Sequence, residues 1–445
     1  MGSVTSLLKD APTASVASAA DLTEDSLALS FAQKHAKRFR YIALTCRWMV
    51  WSKTVWAADS TLQVPDEIRQ WCRSAAPFDA KFARAGSVGA VERLAKTDRR
   101  LAATIEQWDS NPLLLNTPGG AVELQTGKLR NHLPEDYCTK STTVAPGDKC
   151  LLWLTFVAQT FGNNSELIAF VQRVCGYCLT GTTTEHALFF LYGTGANGKS
   201  TFINTITGIL GDYARIAPVE TFTASSGDRH PTELAMLAGA RLVTAQETEE
   251  GRPWAEAKIK AVTGGDPISA RFIRRDFFTF TPQLKLVIAG NHRPSVRSVD
   301  EAIRRRVHII PFGITVPPDQ RDPSLSQKLK AEWPGILGWM IEGCFLWQKQ
   351  GLSPPAVIQH ATAEYLDAED VIQLWVDEYC EKDPNFWDSS ANLFGSWKLW
   401  ASRNGEPAGS MRRLSQALEA KGFDRKHTNK ARGFMGIRVK AGPGS

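Results

Sequence analysis

The residues Gly193-Thr194-Gly195-Ala196-Asn197-Gly198-Lys199-Ser200 follow the spacing G-x-x-x-x-G-K-S. Glycines at such positions let successive backbone N–H groups turn inward on phosphate oxygens, and a helix that starts at the lysine adds the positive end of its dipole. Lys199 would contact the β- and γ-phosphates of a nucleoside triphosphate, and Ser200 would offer its hydroxyl to Mg2+. Thr201 would extend the cradle into the first helical turn. A glycine-rich turn with a chance lysine is the plainer reading. It leaves the strand-like run at 186–192 before the loop and the helical run at 199–210 after it without a purpose.

A phosphate loop alone does not separate kinases, GTPases and motors, so the later segments must discriminate. Residues 241–247 run as a strand into Glu247, whose carboxylate would hold magnesium or polarise the attacking water. Glu249 and Glu250 follow closely and read as solvated or supporting acids. Residues 285–291 run as a second strand into Asn291, whose amide would orient that water and sense the γ-phosphate. Between them, 263–280 reads as two β segments around a basic tip, with Arg271, Arg274 and Arg275 placed to grip a nucleic-acid backbone. A solvated turn is the alternative there. The run Asp300-Glu-Ala-Ile-Arg304-Arg305-Arg306 precedes a further strand. In a ring of identical subunits an arginine at this place would reach the neighbour's γ-phosphate; a basic surface turn is the alternative.

These residues need a scaffold, and the pattern predicts one. From 149 to 351 the chain alternates helical stretches with short apolar runs at 186–192, 241–245, 285–289 and 307–312, as in an α/β sheet covered by helices. In such sheets ligands sit beyond the carboxyl ends of the strands, where each run here ends in a polar residue or glycine. Residues 1–21 are rich in Ser, Ala and Thr and read as a disordered tail. Residues 22–148 are mixed: a helix over about 27–50, a second over 90–108, then strand and turn pieces at 113–129 punctuated by Pro118-Gly119-Gly120. The part at 352–440 opens on Pro354-Pro355 and continues as helices over 370–380, 392–402 and 410–421. It ends in a hairpin at 430–440 punctuated by Gly433 and Gly436, the order of a winged helix.

At 445 residues and 43% hydrophobic content the chain has room for two or three domains. The apolar run at 151–157 is far shorter than a membrane span requires, and the N-terminus lacks a secretory pattern. Eight cysteines with no dense regular spacing fit a reducing cytoplasm better than a disulfide framework. Cys175 and Cys178 have the spacing of half a zinc site, without a second half, and read as small residues on a buried helix face. The net charge is +6, and residues 411–440 alone carry +7, which points to a polyanion-binding module on a near-neutral body. Trp48, Trp51, Trp153, Trp339 and Trp347 lie among apolar residues and read as core. Trp397 and Trp400, near the basic end, are the two worth testing for DNA contact, with core packing preferred.

In their order along the chain these elements resemble superfamily 3 helicases of the AAA+ class, most closely the helicase part of phage and plasmid primase-helicases. The similarity runs from 27 to 440, with support at 48–56, 110–120, 176–181, 256–266 and the Arg305-Arg306 turn. The resemblance implies an α/β, AAA+ type P-loop core at 149–351. It also implies a helicase-associated, ring-assembling domain at 22–148 and a winged-helix-like DNA-binding domain at 352–440. It makes Lys199 and Ser200 the Walker A pair, Glu247 the Walker B acid and Asn291 the third motif. The stretch containing Lys260, Arg271, Arg274 and Arg275 becomes the DNA-facing signature, and Arg305 or Arg306 the finger. ATP and Mg2+ are the implied cofactors, and a hexamer on single-stranded or forked DNA the implied assembly. Many relatives carry two adjacent acids where this chain has Gln246 before Glu247. Larger relatives carry an upstream primase, for which no room is expected before Leu22; a separately encoded primase is the expected partner. Two other readings stand beside the helicase: an origin-binding or assembly scaffold regulated by ATP, and a P-loop kinase.

Overall fold

The computed structural model describes residues 22–75, 77, 79–224, 232–246, 253–272, 276–291, 300–406, 408–427 and 431–440. The chain divides into two compact units, Met1–Asn111 with Asn131–Ser141, and Pro112–Arg130 with Thr142–Ser445.

In the first unit, α1 (Glu24–His35), α2 (Gln63–Ala75) and α3 (Ala85–Thr97) enclose a core around Leu27, Phe31, Ile68, Cys72, Val91 and Ala95. Thr23 caps α1 by accepting from the Ser26 amide. Beside the helices lies a sheet of order β3-β2-β1-β4, formed by β1 (Phe39–Ile42), β2 (Arg47–Trp51), β3 (Trp56–Ala58) and β4 (Ala102–Ala103). The helix expected over 27–50 therefore stops at His35. Residues 39–51 form an antiparallel hairpin instead, with Phe39 opposite Val50 and Tyr41 opposite Trp48. Aromatic and β-branched pairs across two strands outweigh the weak helical periodicity of this stretch. The helix expected over 90–108 runs from Ala85 to Thr97. Asp98 ends it in an extended conformation, its carboxylate accepting from the Arg100 amide at 2.8 Å and the Arg100 guanidinium at 2.6 Å.

The second unit opens with the antiparallel meander β5 (Leu114–Thr117), β6 (Gly120–Glu123) and β7 (Lys128–Arg130). Helices α4 (Leu151–Thr160) and α5 (Ser165–Cys178) lead into β8 (Leu188–Tyr192), α6 (Lys199–Leu210), β9 (Ala214–Ile216), α7 (Thr232–Ala235) and β10 (Leu242–Gln246). The chain continues through α8 (Glu256–Gly264), the strands β11 (Ile268–Ala270) and β12 (Phe278–Phe280), β13 (Lys285–Gly290), α9 (Glu301–Arg304) and β14 (Val307–Pro311). Five of these strands form a wholly parallel sheet in the order β14-β8-β13-β10-β9. The four expected strands are all in it.

Alternate residues on each strand feed two separate cores. Phe189, Leu191, Val287 and Ile310 face a core shared with α4, α5, α6, α10 (Leu325–Ala331) and α11 (Trp333–Gln350). Leu188, Phe190, Val243, Ile288 and Ile309 face the other, shared with α8, α9 and α12 (Ala356–Glu369). A parallel sheet buried on both faces explains why these strands read as continuous apolar runs. Cys175 and Cys178 are both buried on α5. Among the described residues no helix is long and apolar enough to cross a membrane.

The C-terminal part comprises α13 (Val371–Tyr379), β15 (Cys380–Ser389), α14 (Ser390–Arg403), α15 (Met411–Ala420), β16 (Arg425–His427) and β17 (Arg432–Val439), with the antiparallel order β15-β17-β16. The hairpin expected within 430–440 is instead the β16–β17 pair, and 432–439 is one central strand. Gly433 lies inside it because a Cβ there would stand 2.1 Å from the Asp388 carbonyl oxygen, so it serves a close approach and not a turn. Trp397 and Trp400 are buried and stacked at 5.5 Å; their indole N–H groups donate to the Ala408 carbonyl and to Glu378, each at 2.7 Å. Both belong to this small core with Trp375, Leu414 and Ile437.

Candidate nucleotide site and the arginine turn

The strand register brings three chain segments to one edge of the parallel sheet. Tyr192, the last residue of β8, pairs with Gly290 at the end of β13, and Gln246, the last of β10, pairs with Ala289. The loop 193–198, Asn291 and Gln246 all leave the sheet at its carboxyl edge. Gln246 is exposed there. Glu247, next in sequence, lies outside the described residues, as do Glu249, Glu250, Arg274 and Arg275.

The loop is built by close approach. A Cβ on Gly193 would stand 2.3 Å from both the Asn197 side-chain nitrogen and the Phe312 carbonyl oxygen, so only glycine fits. Asn197 is buried and its Nδ2 donates to that same carbonyl at 2.8 Å, tying the loop to the chain beyond β14. The Val316 amide donates to the Ala196 carbonyl at 2.9 Å. Thr194, Gly195 and Ala196 form an exposed rim. Gly198 takes a left-handed conformation (φ +86°) and hands the chain to α6 without a side-chain cap, so no side chain at the N-cap competes for the first-turn amides. Ser200 is exposed and Thr201 half-buried on that first turn.

Lys199 is 7% exposed. Its ammonium donates to the Gly193 carbonyl, to Asn197 Oδ1 at 3.1 Å and to Asn291 Oδ1 at 3.1 Å. Burial pulls this ammonium below the ordinary lysine range. All three acceptors are neutral oxygens. With neutral oxygens as its partners among the described residues, the ammonium is not matched by a carboxylate there and is placed to meet an anion at the helix N-terminus, which fits a nucleoside triphosphate.

The arginine turn sits elsewhere. Asp300 caps α9 by accepting from the Ile303 amide at 2.9 Å, and its other oxygen pairs with Lys260 Nζ at 2.5 Å. Burial pushes the Asp300 carboxyl up, but Lys260 and the capping amides together hold it below the usual carboxylate range. Lys260, expected to face nucleic acid, is thus tied between α8 and α9. Arg304 pairs with Asp367 at 3.0 Å and approaches Asp370 at 3.8 Å. Arg305 is exposed. Arg306 is buried, donates from Nη1 to the Ala302 carbonyl at 2.8 Å, and among the described residues its Nε has no hydrogen-bond partner. All three precede β14, whose Val307 pairs with Leu188 at the start of β8. They lie at the amino edge, one strand length from the loop, about 16 Å at roughly 3.3 Å per residue. The fold joins Lys199 to Asn291 and keeps Arg305 and Arg306 away from both.

Strands β11 and β12 pair antiparallel with Ala270 opposite Phe278, and Arg271 lies over the Phe277 ring at 4.7 Å. The hairpin expected from the sequence is present, with 273–275 outside the described residues. Sequence reasoning gave Asn197 a place in the cradle but not its link to Phe312, and it overlooked the rings beside Arg271. A polar residue between two loop glycines was the available signal for the first.

Residues 28–162 match a family described as D5 N terminal like, and residues 191–306 match a Family of unknown function (DUF5906). The chain is 26% identical over 326 residues to the protein named "Putative helicase L207/L206" of Acanthamoeba polyphaga mimivirus, covering 67% of this chain and 34% of that protein. It is 25% identical over 337 residues to "Putative helicase 022R" of Frog virus 3 (isolate Goorha), covering 71% and 33%. The chain therefore spans about a third of the length of these relatives. Among solved structures it is similar to the apo C-terminal region of NrS-1, at TM-score 0.49 and 9% identity over 88% of this chain and 85% of that one.

Proposed function

We propose that this chain, a superfamily 3 primase-helicase-like protein, is an ATP-dependent DNA helicase of a viral, phage or plasmid replication system. The observation that carries the reading is the meeting of Lys199 and Asn291 at 3.1 Å on the carboxyl edge of the sheet. The strand order, with the loop-bearing β8 between β14 and β13, supports an AAA+ type core over 149–351. ATP would supply the phosphoanhydride bond that is hydrolysed, and Mg2+ would offset the charge on its phosphate oxygens. Lys199, the 193–198 amides and Thr201 would hold the phosphates, Ser200 and Glu247 would hold the magnesium, and Asn291 would orient the attacking water.

The opposite placement of the arginines supports a ring. An arginine at the amino edge cannot serve the phosphate loop of its own chain, so it serves a neighbour's. Arg305 is the better finger, being exposed, while Arg306 is spent inside the fold. The assembly proposed is a hexamer on single-stranded or forked DNA, with 22–148 helping to form the ring. The 352–440 part acts as a winged-helix-like DNA-binding domain, which the α13–α15 and β15-β17-β16 arrangement supports. Arg271, next to β11, with Arg274 and Arg275 of the connecting segment in sequence, would grip the strand, and a separate primase is a further partner proposed.

Strand displacement on a forked duplex tests the reading. ATP-dependent release of the displaced strand is expected; ATP turnover without any displacement would favour an ATP-regulated assembly scaffold.

A further inference from the structure

Two large rings next to the β11–β12 pair stand in solvent. Phe272 is 45% exposed and Phe277 59%. Neither ring is loose. Phe272 stacks on Phe278 with centroids 5.7 Å apart and planes 18° apart, and Phe278 leans on Phe280 at 6.0 Å. Phe280 in turn packs against the second sheet core, so a ladder of rings runs outward from the fold and ends at Phe272. Phe277 is held differently, under the Arg271 guanidinium at 4.7 Å.

Two exposed rings, one of them beside the Arg271 guanidinium, match the chemistry of unpaired nucleic-acid bases on a charged backbone. Every base presents a face that stacks on an aromatic ring, and an arginine beside it adds cation–π and phosphate attraction. Among the described residues, packing within the chain does not account for the exposed faces, because the ladder is anchored at Phe280 and gains little from its outermost ring.

We propose that Phe272 and Phe277 are stacking platforms for unpaired bases of single-stranded DNA, with Arg271 taking an adjoining phosphate. This rests on the reading of the hairpin as the DNA-contacting element. It adds that the grip includes bases as well as backbone.

The test uses the full chain and two fluorescent probes: oligo-dT, and a backbone-only strand of abasic spacers of equal length. Wild type is expected to bind oligo-dT more tightly than the abasic strand. Phe272→Ala with Phe277→Ala should weaken oligo-dT binding about tenfold for each ring and leave abasic binding unchanged. Phe272→Trp with Phe277→Trp should restore the preference. Equal affinity of the alanine variant and wild type for oligo-dT would overturn the stacking role and leave the helicase reading standing. So would equal losses on both probes, or a loss of self-association in sedimentation with oligo-dT binding intact. A wild type that binds neither probe would overturn the helicase reading itself, and the stacking role with it.

Discussion

Lys199 Nζ and Asn291 Oδ1 lie 3.1 Å apart although 92 positions separate them in the chain. The parallel pairing of β8 with β13 makes this contact, and it ties the cation of the phosphate loop to the end of a neighbouring strand. A carboxamide can orient the ammonium without neutralising it, which a carboxylate in the same place would not do.

Asn291→Ala is therefore expected to lower ATP turnover by about ten- to a hundredfold while nucleotide affinity stays within about threefold, since the loss falls on positioning. Asn291→Asp is expected to weaken nucleotide binding by about tenfold, because the new carboxylate would pair with Lys199 and repel phosphate. Titration with a fluorescent ATP analogue and steady-state phosphate release separate the two. Equal behaviour of the two variants would contradict the role given to the neutral oxygen.

The two arginines should behave differently. Arg305 is exposed, so Arg305→Ala should leave the unfolding midpoint within about 1 °C and cut hydrolysis about a thousandfold. Mixing it with Lys199→Ala should recover some activity, because each variant supplies what its neighbour lacks. Arg306 is buried against the Ala302 carbonyl, so Arg306→Ala should destabilise the fold by about 2 kcal/mol. Thermal melts and mixed-subunit assays check both. A stability loss confined to Arg305→Ala would reverse the assignment.

His308 gives a pH signature. Half-buried against the Phe170 and Phe189 rings, its imidazole loses solvation and is pushed down to about 4 from the ordinary 6.5. The unfolded chain therefore takes up a proton between those values while the folded chain refuses it, so stability falls as pH drops through that window. Wild type should lose about 2 kcal/mol more than His308→Phe between pH 7.5 and pH 5 in urea unfolding. Parallel losses in the two proteins would contradict an imidazole held neutral in the fold.

Much of the parallel sheet was legible in the sequence because its strands are buried on both faces and stand out as apolar runs. Strand β9 was not: it has three residues, and Ile216 on it is 71% exposed. The first unit misled through its aromatic pairs, since Trp48 and Tyr41 sit in a stretch with partial helical periodicity and are fixed as strands by pairing with each other and with β3 and β4. The phosphate loop could be read because its spacing is local. The distance between that loop and the arginine turn could not, because it follows from the register of β14 on β8 and from no local pattern. Asp300 carried no signal as the partner of Lys260, which depends on how α8 meets α9.

The most direct measurement is ATP hydrolysis by wild type and Lys199→Ala, each with and without single-stranded DNA. The account predicts turnover in wild type that rises several-fold with DNA, and loss of turnover by at least about a hundredfold in the variant with DNA binding retained. Hydrolysis that survives in Lys199→Ala would contradict the nucleotide site, and wild-type hydrolysis indifferent to DNA would contradict the motor.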